Sequence, residues 1–413
     1  MGGSGVQRPA KLAKYLRGFG WEPIILTPEP GAYINFDDTL LEELNNLKIR
    51  TERVDIRSMF HTSGKKQTKV KPSWWKTRLL RFITSWFFLP DNKKSWIEPA
   101  YQKAKKLISD EKIDAVFSTA PPYSNLIVAK KLKNELGIPV VMDFRDDWLN
   151  SHWIDYPTKW HYNKMKRLES ETIKTADAIT VVNERYKNSI SGRYPGSDKI
   201  QFKVIPNGYD PENLEQVVPA GNPEKFTIIH SGRFYNVIQP DQFLHSVREV
   251  IKQNPEIEKK IALQFQGGLS EMHWKLINKL GLTEIVTDFG YVQHQQAVQN
   301  LMNADLLFLT LGNRRHMEDV TPGKLFEYMG TLKPILAFVP EGITSALLKL
   351  YGAAETCELN DRKAGAESIL NLYQQWVDKT LPEGNKQFSE QFNRKYTAQQ
   401  LSGVLNDVTK GGV

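Results

Sequence analysis

The sequence predicts an α/β protein made of two parallel, doubly wound domains. Three observations carry that expectation. Apolar runs of strand length alternate with helical patterns along almost the whole chain. The alternation occurs twice, with a break at 208–223, where GYDPENLEQVVPAGNP is rich in proline, glycine and polar residues. A length of 413 residues exceeds what one typical core serves, and a hydrophobic content of 40% is enough to build two.

In the first half the expected strands are 23–27, 113–118, 139–143, 178–183 and 202–205. In the second they are 226–231, 261–266, 285–289, 304–310 and 334–339. Helical spacing of apolar residues falls between them, as at 6–17, 124–136, 240–253 and 295–302. The expected organisation is a domain over 1–208, a linker over 209–223, a second domain over 224–385, and a helical segment over 386–413 that packs back on the first domain. Two such domains facing each other leave a cleft at the carboxyl ends of their strands, where open α/β sheets bind ligands. Gly2, Gly3 and Gly5 form a glycine-rich loop opening the 6–17 helix. Such a loop normally follows a buried strand, and only Met1 precedes this one, so the first sheet is expected to lack its first strand.

The net charge of +8 favours acidic partners: nucleotides, nucleic acid or anionic lipid. Cys357 is the single cysteine, which excludes an internal disulfide and a cysteine-based zinc site and fits a reducing compartment. The N-terminal residues carry no apolar signal core, and no apolar run approaches a membrane span. The expectation is a cytoplasmic protein.

The segment DVTPGKLFEYMG, 319–330, concentrates the chemistry. Thr321 suits an N-cap and Pro322 the first helical position, with Gly330 ending the helix. The free N–H groups of such a helix start, followed by Gly323 and Lys324, make a seat for phosphate. Glu327 lies one turn beyond Lys324 on the same face and could accept hydrogen bonds from a ribose diol. Asp319 stays outside the helix, free to reach a sugar hydroxyl. The plainer alternative is an amphipathic helix with a solvated Lys–Glu pair.

Residues 65–88 hold Lys65, Lys66, Lys69, Lys71, Lys76, Arg78 and Arg81 without an acidic residue, interleaved with Trp74, Trp75, Phe82, Trp86, Phe87 and Phe88. An anionic membrane surface fits that pattern. Stacked single-stranded nucleic acid and a loop that packs its own aromatics are the other readings. The expected partner is the membrane surface, with the protein peripheral on the inner face of the cell membrane; nucleic acid is not expected.

Seven segments, in order, resemble the retaining glycosyltransferases of family 4: GGSGVQRPAKLAKYLRGFGWEPIILTP, FSTAPPYSN, PVVMDFRDDW, ADAITVVNERY, VIPNGYD, IIHSGRF and VTPGKLFEYMGTLKPILAF. They run from the N-terminus to about Val339, and the resemblance is strongest to bacterial members that build surface polysaccharide. It implies a GT-B fold, two Rossmann-like domains facing a central cleft. It further implies transfer of a sugar from a nucleotide diphosphate sugar to a hydroxyl of a glycan or lipid-linked acceptor.

The family's E-x7-E pair is matched by Asp319 and Glu327, with aspartate in the first place. The resemblance implies that Glu327 holds the donor ribose and that Asp319 lies beside the transferred sugar. It puts Arg233, in HSGRF with Gly232, on the donor diphosphate. A lysine often follows five residues later in the family; here that position is Ile238, and the resemblance to members with this GK pattern implies that Lys324 takes over the charge neutralisation. Arg314 and Arg315 are further candidates. In the first domain the resemblance points to Gly3 and Gly5, where the backbone approaches phosphate and acceptor, and to Arg145 and Asp146 on the acceptor side, in place of a histidine common in the family. A structural ion pair is the alternative for those two. Asn207 and Gly208 mark the crossover between domains. The family retains anomeric configuration without a covalent nucleophile, the leaving phosphate taking the acceptor proton. No metal or cofactor is expected: Asp146 and Asp147 are an isolated acidic pair, and His230, His294 and the other histidines lack ligand spacing. Two other functions remain open at this point, a sugar-nucleotide epimerase of the same fold and a non-catalytic nucleotide-sugar-binding scaffold. A dehydrogenase fails at Arg8, where G-x-G-x-x-G needs its third glycine.

Overall fold

The computed structural model describes residues 4–29, 39–55, 86, 89–194, 196, 200–235 and 237–410. Gly3 and, apart from Trp86, the basic aromatic stretch 65–88 lie outside them. The chain divides into two compact units, Met1–Pro206 with Lys395–Val413, and Asn207–Arg394.

In the first unit β1 (Ile25–Pro28) pairs in parallel with β2 (Thr51–Val54). β3 (Val116–Ala120), β4 (Val140–Phe144), β5 (Ala178–Val181) and β6 (Gln201–Val204) form a second parallel sheet in chain order. Both central strands, β4 and β5, are buried throughout. That is why they read as continuous apolar runs rather than alternating ones. The Ser124–Leu136 helix joins β3 to β4 and stops at Gly137, whose φ of 68° is left-handed and whose N–H reaches the Lys133 carbonyl. The C-terminal helix, Arg394–Lys410, belongs with this unit for nearly all its length. Its Ala398, Leu401, Val404 and Leu405 pack with Leu12, Tyr15 and Leu16 of the Gln7–Leu16 helix against Val141 and Ala178.

The second unit holds β7 (Phe226–Ser231), β8 (Ile261–Gln266), β9 (Val286–Asp288), β10 (Leu306–Thr310), β11 (Ile335–Phe338) and β12 (Ala354–Cys357). All pair in parallel, in the order β12-β11-β10-β7-β8-β9. Strand residues alternate between two cores. Ile228, Leu306, Phe308, Leu336 and Phe338 face the Asp241–Gln253 and Arg362–Val377 helices. Ile229, Leu307, Leu309, Ile335 and Ala337 face the Gly323–Gly330 and Ile343–Tyr351 helices. The strand order reverses between β7 and β10, which is where open parallel sheets place their ligands. Residues 209–223 contain a short helix, Pro211–Glu215, and lie in this unit. At Gly208 an added Cβ would stand 2.2 Å from the Phe392 carbonyl oxygen, so the two chain segments linking the units cross where only glycine fits.

Every strand expected from the sequence is present, displaced by no more than three residues at its ends. β2 and β12 were not expected. Each is an edge strand of polar composition, TERV and AETC, with three of its four residues not fully buried, so neither carries the apolar run that marks an interior strand.

Candidate functional site

The carboxyl end of β7 is built around glycine. Gly232 has φ 112° and Gly267, at the end of β8, has φ 125°. A Cβ on Gly267 would lie 2.5 Å from the carbonyl carbon and oxygen of Gly232, and one on Gly232 would lie 2.9 Å from Nζ of Lys324. At Gly312, after β10, a Cβ would meet the Val237 carbonyl oxygen at 2.3 Å. The loops after β7, β8 and β10 therefore close on one another through backbone, leaving a polar floor at the switch point. Arg233 follows Gly232 and is half-buried there.

The side chains beneath that floor form one network. His230 is buried, and its Nδ1 stands 2.9 Å from the Phe308 carbonyl oxygen, which can only accept, so Nδ1 carries the proton. Burial, aided by the Lys324 charge, pushes the imidazole pKa well below its ordinary value, and the ring is neutral. Nε2 is left as an acceptor 3.2 Å from the Lys324 ammonium. The Phe234 ring stacks on the imidazole at 4.3 Å. Tyr328 accepts from the Ser231 N–H at 2.8 Å and donates to the Phe308 carbonyl at 3.2 Å. The first and last turns of one helix are thus tied to the end of β7.

That helix runs Gly323–Gly330. Two details differ from expectation. Pro322, not Thr321, occupies the cap position, with extended backbone (φ −67°, ψ 139°) and no side-chain cap bond. Proline's fixed φ suits that extended corner as well as a first helical turn, and the Leu325 N–H bonds the Pro322 carbonyl at 3.0 Å. Thr321 is buried just before the corner. Gly330 is the last helical residue for a packing reason: a Cβ there would come 2.6 Å from the Tyr209 ring. The N–H groups of Gly323 and Lys324 have no partner within the helix. Burial lowers the Lys324 pKa to about 8, against an opposing pull from Glu327 one turn on. A half-buried cation beside the backbone donors of a helix start is an arrangement that can receive an anion.

Asp319 ends a short 3-10 turn, Met317–Asp319, that precedes this helix. Its Oδ2 lies 3.6 Å from Nδ1 of His316, which adopts a left-handed φ of 66°. His316, Glu318 and Asp319 put ligand-type atoms within 4.8 Å of one another. The turn is held from below, where Thr344 donates to the Val320 carbonyl at 2.7 Å. Arg314 is half-buried and Arg315 exposed in the same loop.

Arg145, Asp146 and Gly5 lie in the first unit, at the carboxyl end of β4. The Arg145 guanidinium donates to the carbonyls of Gly5, Pro121 and Ala120. It is spent on backbone and clamps the start of the Gln7–Leu16 helix to the β3 loop. Burial raises the Asp146 carboxyl to about 6, with Arg145 pulling it down and Asp147 pushing it up. Two residues that carry this end of the sheet were not singled out from sequence. Arg8 bonds both oxygens of Asp143 at 3.1 and 2.8 Å and the carbonyls of Pro206 and Ile205. The available signal was an aspartate ending an apolar strand, which must find a partner when buried.

The comparisons with known proteins agree with this architecture. Residues 6–213, just over half the chain, match the model of the family described as Glycosyltransferase Family 4. No curated protein matches significantly. Among solved structures, a sucrose-phosphate synthase from Thermosynechococcus elongatus superposes with a TM-score of 0.65 at 13% identity, covering 100% of this chain and 94% of its own. A glycosyltransferase from Rickettsia africae gives 0.61 at 14% identity, covering 99% and 96%. An α,α-trehalose 6-phosphate synthase from Burkholderia multivorans gives 0.62 at 10% identity, covering 95% and 100%. At such identities these likenesses speak for the fold alone, two Rossmann-like domains of GT-B type. By its family match, with that fold beneath it, the chain belongs to Glycosyltransferase Family 4.

Proposed function

We propose that this protein is a retaining glycosyltransferase that moves a sugar from a nucleoside diphosphate sugar to a hydroxyl of a glycan or lipid-linked acceptor, in the building of cell-surface polysaccharide on the cytoplasmic side of the membrane. The observation that carries the reading is Lys324: a half-buried ammonium set against Gly232 at the switch point of a parallel sheet, beside the first N–H groups of a helix. Most of the barrier to glycosyl transfer lies in separating charge as the diphosphate leaves. Lys324, Arg233 and the backbone N–H groups of Gly323 and Lys324 would meet that charge, with Gly232 leaving the lysine its room and Thr321 and Pro322 fixing the corner before them. Glu327 would accept from the donor ribose, and Asp319 would contact the transferred sugar. On the first unit, Gly5 with Gly3 would let the donor phosphate and acceptor approach the backbone, and Arg145 and Asp146 would line the acceptor side. The leaving phosphate would take the acceptor proton, so no side chain serves as a covalent nucleophile and no metal is required.

The test is transfer of labelled sugar from a panel of nucleoside diphosphate sugars into a membrane extract. Glu327→Ala is expected to weaken donor binding about 10- to 100-fold, the loss of a charged hydrogen-bond acceptor. Transfer that survives both Glu327→Ala and Lys324→Ala unchanged would remove the site. Epimerisation without acceptor, or tight nucleotide binding without turnover, would replace the reaction by that of an epimerase or a scaffold.

A further inference from the structure

We infer that the face of the first unit carrying Trp86, Trp153, Trp160 and Tyr162 together with Lys159, Lys164 and Lys166 docks on an anionic lipid membrane. The Lys159–Ile173 helix turns His161, Met165, Glu169, Thr172 and Ile173 inward. It leaves Lys159, Trp160, Tyr162, Lys164 and Lys166 exposed. Trp160 is 60% exposed and Trp153, from the preceding loop, 46%. Large indoles this open to water are unusual on a protein surface.

These rings are held in place. The buried His161 ring meets Trp160 edge-on at 4.9 Å and Trp86 edge-on at 5.1 Å. Its own nitrogens face the Thr158 hydroxyl at 2.8 Å and the Trp86 carbonyl at 3.2 Å. One buried histidine therefore fixes two tryptophans that face outward. Tyr162 packs edge-on against Tyr156 at 5.4 Å.

Charge chooses the occupant. Lys164 sits 4.6 Å over the Trp160 ring, which places an ammonium beside an indole, the pairing that suits a headgroup layer. Arg167 is engaged by Glu171 at 2.8 Å, but Lys159 and Lys166 stand on the same helix. Asp155 is the one acidic residue that is exposed between 153 and 167. A neutral glycan would use the rings and have no need of the lysines; an anionic bilayer uses both. Trp86 also belongs to the basic aromatic stretch 65–88, which carries no acidic residue. This inference is independent of the transfer chemistry.

The test uses the full chain with vesicles of phosphatidylcholine, alone and with added phosphatidylglycerol. Co-sedimentation is expected with the mixed vesicles only, and to fall in high salt. The combined variant Lys159→Ala, Lys164→Ala, Lys166→Ala should weaken partition on the order of 100-fold. Brominated lipid should quench the tryptophan fluorescence of the unaltered protein, a readout that depends on no variant. Equal binding to both vesicle types, absence of quenching, or a variant that unfolds at the same temperature and binds as before would overturn the assignment. So would fluorescence that responds to a neutral oligosaccharide and not to vesicles.

Discussion

The Lys324 ammonium stands 3.2 Å from Nε2 of His230, a buried imidazole that can only accept at that nitrogen. The pair shares no negative charge. Its position is therefore set by shape, with Gly232 on one side and the histidine on the other, and Glu327 one turn on offsets only part of the cost of burying the cation. Burial lowers the lysine pKa to about 8. A bound diphosphate favours the ammonium and raises that value. Affinity for a nucleoside diphosphate should then be flat below about pH 8. Above it, affinity should fall by up to about tenfold per pH unit. Lys324→Ala should bind weakly throughout and show no inflection there. Titration calorimetry on both sides of that pH decides it, and a wild-type profile that stays level would take Lys324 out of the anion site.

The two glycines packed at this lysine, Gly232 and Gly267, should fail differently when given a side chain. A Cβ on Gly232 meets the tip of a flexible side chain, Nζ of Lys324 at 2.9 Å. One on Gly267 meets backbone, Gly232 C and O at 2.5 Å. Both have positive φ, a strain of about 1–3 kcal/mol for alanine. Gly267→Ala should therefore show the larger fall in thermal midpoint. Gly232→Ala should lose more nucleotide affinity than its stability explains, because it displaces the cation. Matched thermal melts and nucleotide titrations separate the two; equal losses in both would mean the glycines serve only the fold.

How much of this could be read beforehand depends on the physical signal each element carries. β7, β10 and β11 are buried on both faces and announce themselves as largely apolar runs, and β8 shows itself by alternation. β2 and β12 sit at edges and keep polar residues. The start of the Gly323–Gly330 helix was misplaced by one residue because Thr-Pro fits a cap and first turn as well as it fits an extended corner. Lys324 and Gly232 were legible separately, from composition and family likeness. Their contact was not, because it depends on the left-handed backbone at Gly232 and a histidine whose partners lie on other strands. In local sequence Arg8 shows only as the residue that breaks a dinucleotide motif; its pairing with Asp143 joins positions too far apart for local patterning to link.

That pair should be among the costliest to break. Asp143 is fully buried and Arg8 nearly so, with Thr119 and Thr180 also donating to the carboxylate at 2.7 and 2.8 Å. Arg8→Leu leaves a buried carboxylate with hydroxyls alone, at a cost of about 3–5 kcal/mol. Burial works to raise the Asp143 pKa, but Arg8 and the hydroxyls overcome it and hold the group below its ordinary value. Its contribution is thus present above the unfolded-state value of about 3.9 and is lost as pH falls through the folded one. Urea midpoints should show the Arg8→Leu deficit in full at neutral pH and smaller in acid. A deficit independent of pH would mean that lost packing, not charge, is responsible.

Glu169 should show the opposite pH dependence. It is fully buried, and Arg193 bonds its Oε2 at 2.7 Å while also donating to Asp147, so two carboxylates share one guanidinium. Its other oxygen, Oε1, has no hydrogen-bond partner. Burial raises its pKa from 4.5 to about 7, Arg193 drawing it down and Asp147 pushing it up. The folded state therefore keeps a proton that the unfolded chain has released between those values. The stability this confers is whole below 4.5 and is lost as pH rises through about 7. Glu169→Gln removes the charge while leaving Arg193 its bond to Asp147. It should raise stability above neutral pH by on the order of 1–3 kcal/mol and bring no such gain in acid. Arg193→Leu should do the reverse, unfolding most readily at high pH where both carboxylates ionise. Chemical denaturation at acid and alkaline pH measures both variants. If Glu169→Gln were as destabilised in alkali as in acid, the carboxylate would be ionised and welcome there, and the shared-cation account would fall.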